Sequence, residues 1–229
     1  MRISLVLLVR NEIKGLEALF DRIPFAAADE VFCVDGASTD GSIEFLQKKG
    51  IRVYGQEKKG RGEAFRVAFE KASGDAIVFY SPDGNEDPTD IPKFRPLLES
   101  GDDLVIANRM SGGGRNEEDA HFFKWRKWAN QAFTLLAIWT WGKGKRLADS
   151  INGFRAITRK AWQTLSPDGP GYTIEYQTSI RALKKGLRIA EFPTRESSRV
   201  EDREGSPSFQ TGLAFLKLYF KELIKGKAC

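Results

Sequence analysis

The stretch VFYSPDGNEDP, residues 78–88, sets Asp83, Glu86 and Asp87 directly behind an apolar run. Carboxylate oxygens are the ligands that hard divalent cations prefer, and a cation that keeps several of its waters needs only one or two of them. Other polar groups follow other apolar runs in the same way. Arg10-Asn11-Glu12 follows ISLVLLV, Asp35 opens the turn GASTDGS after EVFCV, and Asn108-Arg109 follows DLVIA. A turn or helix cap would account for any one group, but caps alone do not require acids and arginines together. Arginines recur in the second half of the chain, at Arg109, Arg126, Arg155, Arg199 and Arg203. The planar guanidinium fork suits phosphate oxygens. For Arg203, flanked by Asp202 and Glu204, surface ion pairing is an equal alternative.

These groups meet only if the elements before them end at one edge. ISLVLLV (3–9), EVFCVD (30–35), IRVYGQ (51–56), AIVFYS (76–81) and DLVIANR (103–109) read as strands. Helical spacing of Leu16, Leu19, Phe20 and Ile23 predicts a helix over 12–23. Further helices are expected over 42–49 and across GRGEAFRVAFEKASG, which Gly74 ends. Continuous apolar strands separated by helices predict an α/β fold, with a mostly parallel sheet covered on both faces. Ligands of such sheets lie beyond the carboxyl ends of the strands. Further on, 111–120 reads as a loop, and residues 121–146 hold four of the five tryptophans. DSINGFRAI gives a turn and a strand-like segment, 173–185 a helix, LRIAEFPTR a strand, and 196–208 a polar loop. Residues 209–229 read as an amphipathic helix.

The 229 residues carry a net charge of +5, which favours anionic ligands or a membrane surface. Nothing points to a nucleic-acid partner. Of the two cysteines, Cys33 reads as a small core residue, and no disulfide or zinc framework is present, as in a reducing cytosol. No apolar run approaches the roughly 18 residues of a membrane span, and the N-terminus reads as a strand rather than a signal peptide. His121 is given no role.

In order and spacing these segments resemble the family 2 glycosyltransferases, whose nucleotide-sugar-binding fold is called GT-A. LLVRNE is similar to the family's first-strand ending, with Arg10 in place of the usual small or aromatic residue. VDGASTDGS matches the Val-Asp-Asp/Gly-x-Ser-x-Asp-Gly-Thr turn, and KKGRGEAF the Lys-Gly-x-Gly-x-Ala helix entry. SPDGNEDP occupies the place of the metal motif, often Asp-Ala-Asp-Gly-Gln-His-Asp-Pro, with Ser81 where the first aspartate would stand. ANRMSGGG…WRKWANQAF, DSINGFRAI and GYTIEYQTSIRALKKGLRIAEFPTR look like segments of the dolichyl-phosphate mannose synthase group.

That resemblance implies transfer of a hexose from a GDP-mannose- or UDP-glucose-type donor to a polyprenyl phosphate. It implies a donor half over 1–110 and an acceptor half of the same domain over 111–208. Mg²⁺ or Mn²⁺ would be held by Asp83, with Asn85 as a second ligand. Glu12, Asp35, Ser38, Asp40, Lys59, Arg61, Ser81 and Asp83 would bind the donor. Arg109, Arg126, Arg155, Arg199 and Arg203 would bind the acceptor, with Asp83 and Arg109 the catalytic pair. A phosphate acceptor is already an anion, so orientation and electrostatics should outweigh a strong base, and one in-line attack would invert the anomeric centre. With a serine at Ser81, metal should bind weakly until nucleotide arrives. Lys217, Lys221 and Lys225 beside Leu213, Leu216, Phe220, Leu223 and Ile224, and the tryptophans among Lys124, Arg126 and Lys127, describe an interfacial face. Peripheral attachment at the cytoplasmic side of a membrane is expected. A soluble saccharide acceptor, served by a base among Glu86, Asp87, Asp149 and Glu175, stays open. So does a non-catalytic nucleotide- or lipid-binding role on the same scaffold.

Overall fold

The residues Ile3–Val9 form β1, and every one is buried. A strand buried along its whole length has cover on both faces. Successive side chains point to opposite sides. Val6 and Leu8 therefore enter one core with Phe32, Phe65 and Phe79, while Leu5, Leu7 and Val9 enter another with Leu16, Phe94 and Phe154. The structure, a computed structural model, describes residues 1–120, 124–201 and 208–226.

β2 (Glu30–Asp35) and β4 (Ala76–Tyr80) flank β1 in parallel, and β3 (Arg52–Gly55) extends the sheet beyond β2. Helices α1 (Ile13–Leu19), α2 (Ser42–Lys48) and α3 (Arg61–Lys71) make the crossovers. β5 (Leu104–Asn108), β6 (Arg155–Thr158) and β7 (Ile189–Pro193) complete the order β3-β2-β1-β4-β6-β5-β7. β6 runs antiparallel between β4 and β5. Parallel register puts the carboxyl ends of β1, β2 and β4 side by side, with Val9 opposite Asp35 and Leu7 opposite Tyr80. The polar groups that follow these strands therefore gather at one edge.

Five more helices pack around this frame: α4 (Phe94–Glu99), α5 (Trp125–Trp141), α6 (Arg159–Leu165), α7 (Thr173–Lys185) and α8 (Ser208–Ile224). The short α4 and α6 add to what the sequence pattern shows. α7 is buried from Thr173 to Leu183, including Glu175, Gln177, Thr178, Ser179 and Arg181. Buried polar groups need partners, and one residue supplies many of them. Arg155, at the start of β6, is fully buried. Its guanidinium donates to the carbonyls of Ser150, Asn152 and Glu175 and to the hydroxyls of Thr178 and Ser179, at 2.6–3.2 Å. The expected acceptor-binding role for Arg155 is thus at odds with its place. It bolts α7 to the sheet, with no surface exposed to solvent.

α8 docks on α5 and α7 through Phe215, Leu218 and Tyr219 and through the fully buried Glu222. Arg181, Lys184 and Gln177 all donate to the Glu222 carboxylate, at 2.8–2.9 Å. Burial alone would raise this carboxyl, but the three donors override it and bring it down to about 2. Lys221 reaches Asp168 at 2.7 Å and Lys225 approaches it at 3.8 Å, so two lysines of the expected basic stripe lean onto the protein. Among the described residues no helix is long and apolar enough to cross a membrane.

Candidate active site

The loops after β1 and β2 are stitched together. Backbone N–H groups of Asn11, Glu12 and Ile13 donate to Ser38, Ser42 and Asp40 respectively, at 2.7–3.0 Å. Ser38 in turn donates to Asp35 from both its N–H and its hydroxyl. Burial would raise the Asp40 carboxyl, but donors from Ser42 and Ile13 hold it below the usual carboxylate range. Ser38 and Asp40 are therefore taken up in holding the two loops, and Asp35 is almost wholly buried under them. Glu12 stays on the wall of the adjoining cavity.

That cavity, of about 230 Å³, lies between the ends of β1 and β2 and the start of α3. Glu12, Lys59, Arg61, Ser81 and Asp83 all line it, so the structure brings five of the eight expected donor-binding residues to one wall. Arg10, Gln56, Tyr172 and Arg199 line it as well. Arg61 forms an ion pair with the buried Glu175 and donates to the Ser81 hydroxyl at 3.2 Å. Its guanidinium passes close to Gly153, where a Cβ would clash with it.

The three carboxylates behind β4 have three different fates. Asp87 caps the following turn by accepting from the N–H and hydroxyl of Thr89. Glu86 turns inward to accept from the Ser81 N–H at 2.8 Å. Burial, reinforced by the nearby Asp83 charge, pushes it up to about 8 against the opposing pull of Arg61. Only Asp83 lines the cavity. Burial raises its carboxyl too, opposed by Arg199, whose Nε lies 3.2 Å away.

Asn85 does not line either of the cavities described here. Its amide donates to the Ser197 carbonyl at 2.9 Å and to Glu117 at 3.2 Å, pinning the segment near residue 197. Among the described residues no cluster of three or more acids, histidines or cysteines is placed to hold a metal. Asp83 with the Ser81 hydroxyl nevertheless fits Mg²⁺ or Mn²⁺. Such ions retain waters and take diphosphate oxygens alongside one carboxylate, and a cationic group already sits at this carboxylate in the form of Arg199.

A second cavity, of about 200 Å³, adjoins the first and shares Tyr172 and Arg199 with it. Its lining joins Arg109, Arg126, Glu117 and Glu118 to Trp125, Phe133 and Phe215 of α5 and α8. Arg109 grips Asp149 through Nε and Nη2, at 2.6 and 3.0 Å, and Glu196 through Nη1 at 2.9 Å. Burial would lower its pKa, but the two carboxylates hold it well above the ordinary arginine value. Three of the five N–H donors of a guanidinium are thus engaged, which leaves two for a ligand. Arg126, half exposed, lies 3.5 Å from Glu117. Arg203 and His121 lie outside the described residues. Tyr172, Glu196 and Glu117 were missed as individual site residues. Parallel pairing of β5 with β7, continued by the Arg115–Arg195 bridge, brings Glu117 to Glu196, and Tyr172 directly precedes α7.

Residues 4–162 match the glycosyl transferase family 2 profile. The chain belongs to this family. It is 30% identical to a dolichyl-phosphate hexose transferase of Haloferax volcanii, over 88% of this chain and 83% of that one. It is 27% identical to the dolichol-phosphate mannosyltransferase of Pyrococcus furiosus, over 84% of this chain and 56% of that one. Against several curated relatives the chain spans only 51–61% of their length. A crystal structure of glucosyl-3-phosphoglycerate synthase from Mycobacterium tuberculosis, with Mn²⁺, UDP-glucose and phosphoglyceric acid, superposes with a TM-score of 0.74 at 26% identity. It covers 96% of this chain and 80% of the other. The fold is therefore GT-A: a seven-stranded, mostly parallel sheet with helices on both faces and a C-terminal helix.

Proposed function

We propose that this family 2 member transfers a hexosyl group from a nucleoside-diphosphate sugar to a polyprenyl phosphate, with inversion at the anomeric carbon. The observation that carries this reading is the pair of adjoining cavities. One has Asp83, Arg61 and Lys59 on its wall, and the other joins arginines to apolar side chains of α5 and α8. The first suits a nucleoside diphosphate and the second a phosphate with a hydrocarbon tail. A divalent metal at Asp83 would supply Lewis-acid stabilisation of the departing diphosphate. Arg61, fixed by Glu175 and Ser81, adds positive charge beside that corner, and Lys59 lies at its rim. Arg109, held by two carboxylates, directs its remaining donors toward the acceptor phosphate, and Arg126 and Arg199 assist. In this reading Arg155, fully buried, acts by holding α7, and Asn85, whose amide donates to Ser197 and Glu117, acts by holding the segment near residue 197.

The chain would work at a membrane face. Trp139 is 84% exposed, Phe209 77% and Ile224 86%, and all three belong to α5 or α8. On α8 the exposed Phe209, Leu213, Leu216, Phe220, Leu223 and Ile224 recur at helical spacing, an apolar stripe of the kind that marks an interaction surface, and basic residues flank it as on interfacial helices. The relatives named for dolichyl-phosphate transfer support the polyprenyl-phosphate acceptor.

A second reading has one observation in its favour. The solved structure with phosphoglyceric acid belongs to an enzyme with a small phosphorylated acceptor, and the arginines of the second cavity would also suit such a compound. One experiment separates the two. Labelled GDP-mannose or UDP-glucose is incubated with the protein, Mg²⁺ or Mn²⁺, and either a short polyprenyl phosphate or a phosphoglycerate. Lipid-extractable label supports the first reading, and a water-soluble product formed only with phosphoglycerate replaces it. A product that retains the donor's anomeric configuration refutes the direct in-line attack.

A further inference from the structure

The segment 196–201 lies flat on the turn that carries Asp83. The N–H groups of Ser197 and Val200 donate to the carbonyls of Asn85 and Asp83, at 3.0 and 2.9 Å. Gly84, between those two, has φ +94°, and a Cβ there would strike Val200. From this segment one long side chain, beside Tyr172, stands between the cavities. Arg199 lines both, is 39% exposed, and places Nε 3.2 Å from Asp83 Oδ2. The neighbouring Arg61 is committed to Glu175 and Ser81. Among the described residues, Arg199 is therefore the cation that pairs with the Asp83 carboxylate, whose side chain is only 16% exposed.

A carboxylate this far removed from water needs a counter-charge. A divalent ion at the same oxygens would repel a guanidinium beside it, so the two do not share the site. We propose that Arg199 is the resident counter-ion of Asp83 and competes with the divalent metal for that carboxylate. When a metal–nucleotide complex takes Asp83, the Arg199 side chain turns into the second cavity, while the backbone bonds of Ser197 and Val200 stay in place. Arginine does not deprotonate in the neutral range, so the competition is one of charge and geometry and not of pH. This inference rests on the reading of Asp83 as the metal ligand. It adds to Ser81 a second reason for weak metal binding in the absence of nucleotide.

The test is Mn²⁺ binding to the full chain, followed by the electron paramagnetic resonance signal of free Mn²⁺, without nucleotide and then with UDP or GDP. Without nucleotide, Arg199→Gln should tighten Mn²⁺ binding about two- to fivefold, the range expected for loss of one partly exposed competing pair. Arg199→Lys, which keeps the charge, should stay near wild type. In an Asp83→Asn background the Arg199→Gln effect should vanish. With nucleotide present, the difference between wild type and Arg199→Gln should close or reverse. Lys14→Gln breaks the 3.0 Å pair with Glu201 in the same segment, and should leave Mn²⁺ affinity unchanged. Equal or weaker Mn²⁺ binding by Arg199→Gln in the empty protein, with binding in the presence of nucleotide intact, overturns the inference alone. Failure of wild type and variant alike to bind Mn²⁺ even with UDP and GDP overturns both the inference and the metal role of Asp83.

Discussion

Arg155→Met separates a structural arginine from a ligand-binding one. The wild-type guanidinium makes five hydrogen bonds and has no exposed surface. Burial lowers its pKa to about 10, opposed by Glu175 and Asp149, so it remains charged at neutral pH. In the variant not all five acceptors suffer equally. The Ser150 carbonyl keeps the Ser179 hydroxyl at 2.7 Å, and the Glu175 carbonyl keeps the Thr178 hydroxyl at 2.9 Å. The Asn152 carbonyl loses its 2.6 Å donor, and an orphaned buried carbonyl costs about 1–3 kcal/mol. The buried Glu175 carboxylate also loses one of its two nearby cations and is left with Arg61. Removal of one member of a buried charged pair costs roughly 3–5 kcal/mol in all. For a chain of this size that corresponds to a fall of about 6–20 °C in melting temperature, at roughly 2–4 °C per kcal/mol. Differential scanning calorimetry of Arg155→Met beside the exposed Arg126→Met gives the answer, with the Arg126 variant within about 2 °C of wild type. An Arg155→Met protein that melts with the wild type yet loses affinity for acceptor phosphate would refute the argument and restore the ligand-binding role.

Asp83→Asn should lower metal-dependent transfer by about a hundredfold or more without lowering the melting temperature, since burial already works against its charge; turnover of labelled nucleotide sugar and a thermal melt check both. The Glu222 carboxyl lies at about 2 in the folded protein, against an ordinary 4.5. It therefore contributes stability that is complete above its ordinary value and is lost as pH falls through 4.5 toward 2. Urea midpoints recorded across that range should fall less steeply with acid in Glu222→Gln than in wild type. Replacing Trp139 and Phe220 together with serine should weaken cosedimentation with anionic phospholipid vesicles by about tenfold or more, and unchanged cosedimentation would count against the membrane face.

The central strands were legible because burial on both faces leaves a plain mark, an unbroken apolar run such as Leu5 to Val9 or Ile77 to Tyr80. Parallel register then carries the polar residues after β1, β2 and β4 to one edge, so Glu12, Asp35 and Asp83 could be grouped from the strands, while Arg61 and Ser81 joined them through the family resemblance. Residue type did not reveal which atoms each side chain would meet. Ser38 and Asp40 have the chemistry of ribose ligands, yet backbone N–H groups from another loop claim them. Asn85 is turned aside by a carbonyl 112 positions along the chain. Arg155 looks like its neighbouring arginines in sequence, and only the insertion of β6 between β4 and β5 places it under α7. Short α6 lacks the length for a clear periodic signal, and the polar α7 hides its burial because its partners are polar as well.

The antiparallel β6 has an evolutionary consequence. The chain leaves the sheet at the end of β5, and returns through β6 alongside the strand it left. The exit and return are clamped by the Asn152 amide on the Ala107 carbonyl, at 2.6 Å. Residues 109–154 thus form an excursion whose two ends meet, and closing a longer or shorter loop between fixed ends changes the entropy only slowly with length. Segments here can be exchanged, extended or trimmed while β1 to β4 and the loops between them keep their register. Divergence at the second cavity is therefore open to a lineage that leaves the edge after β1, β2 and β4 untouched.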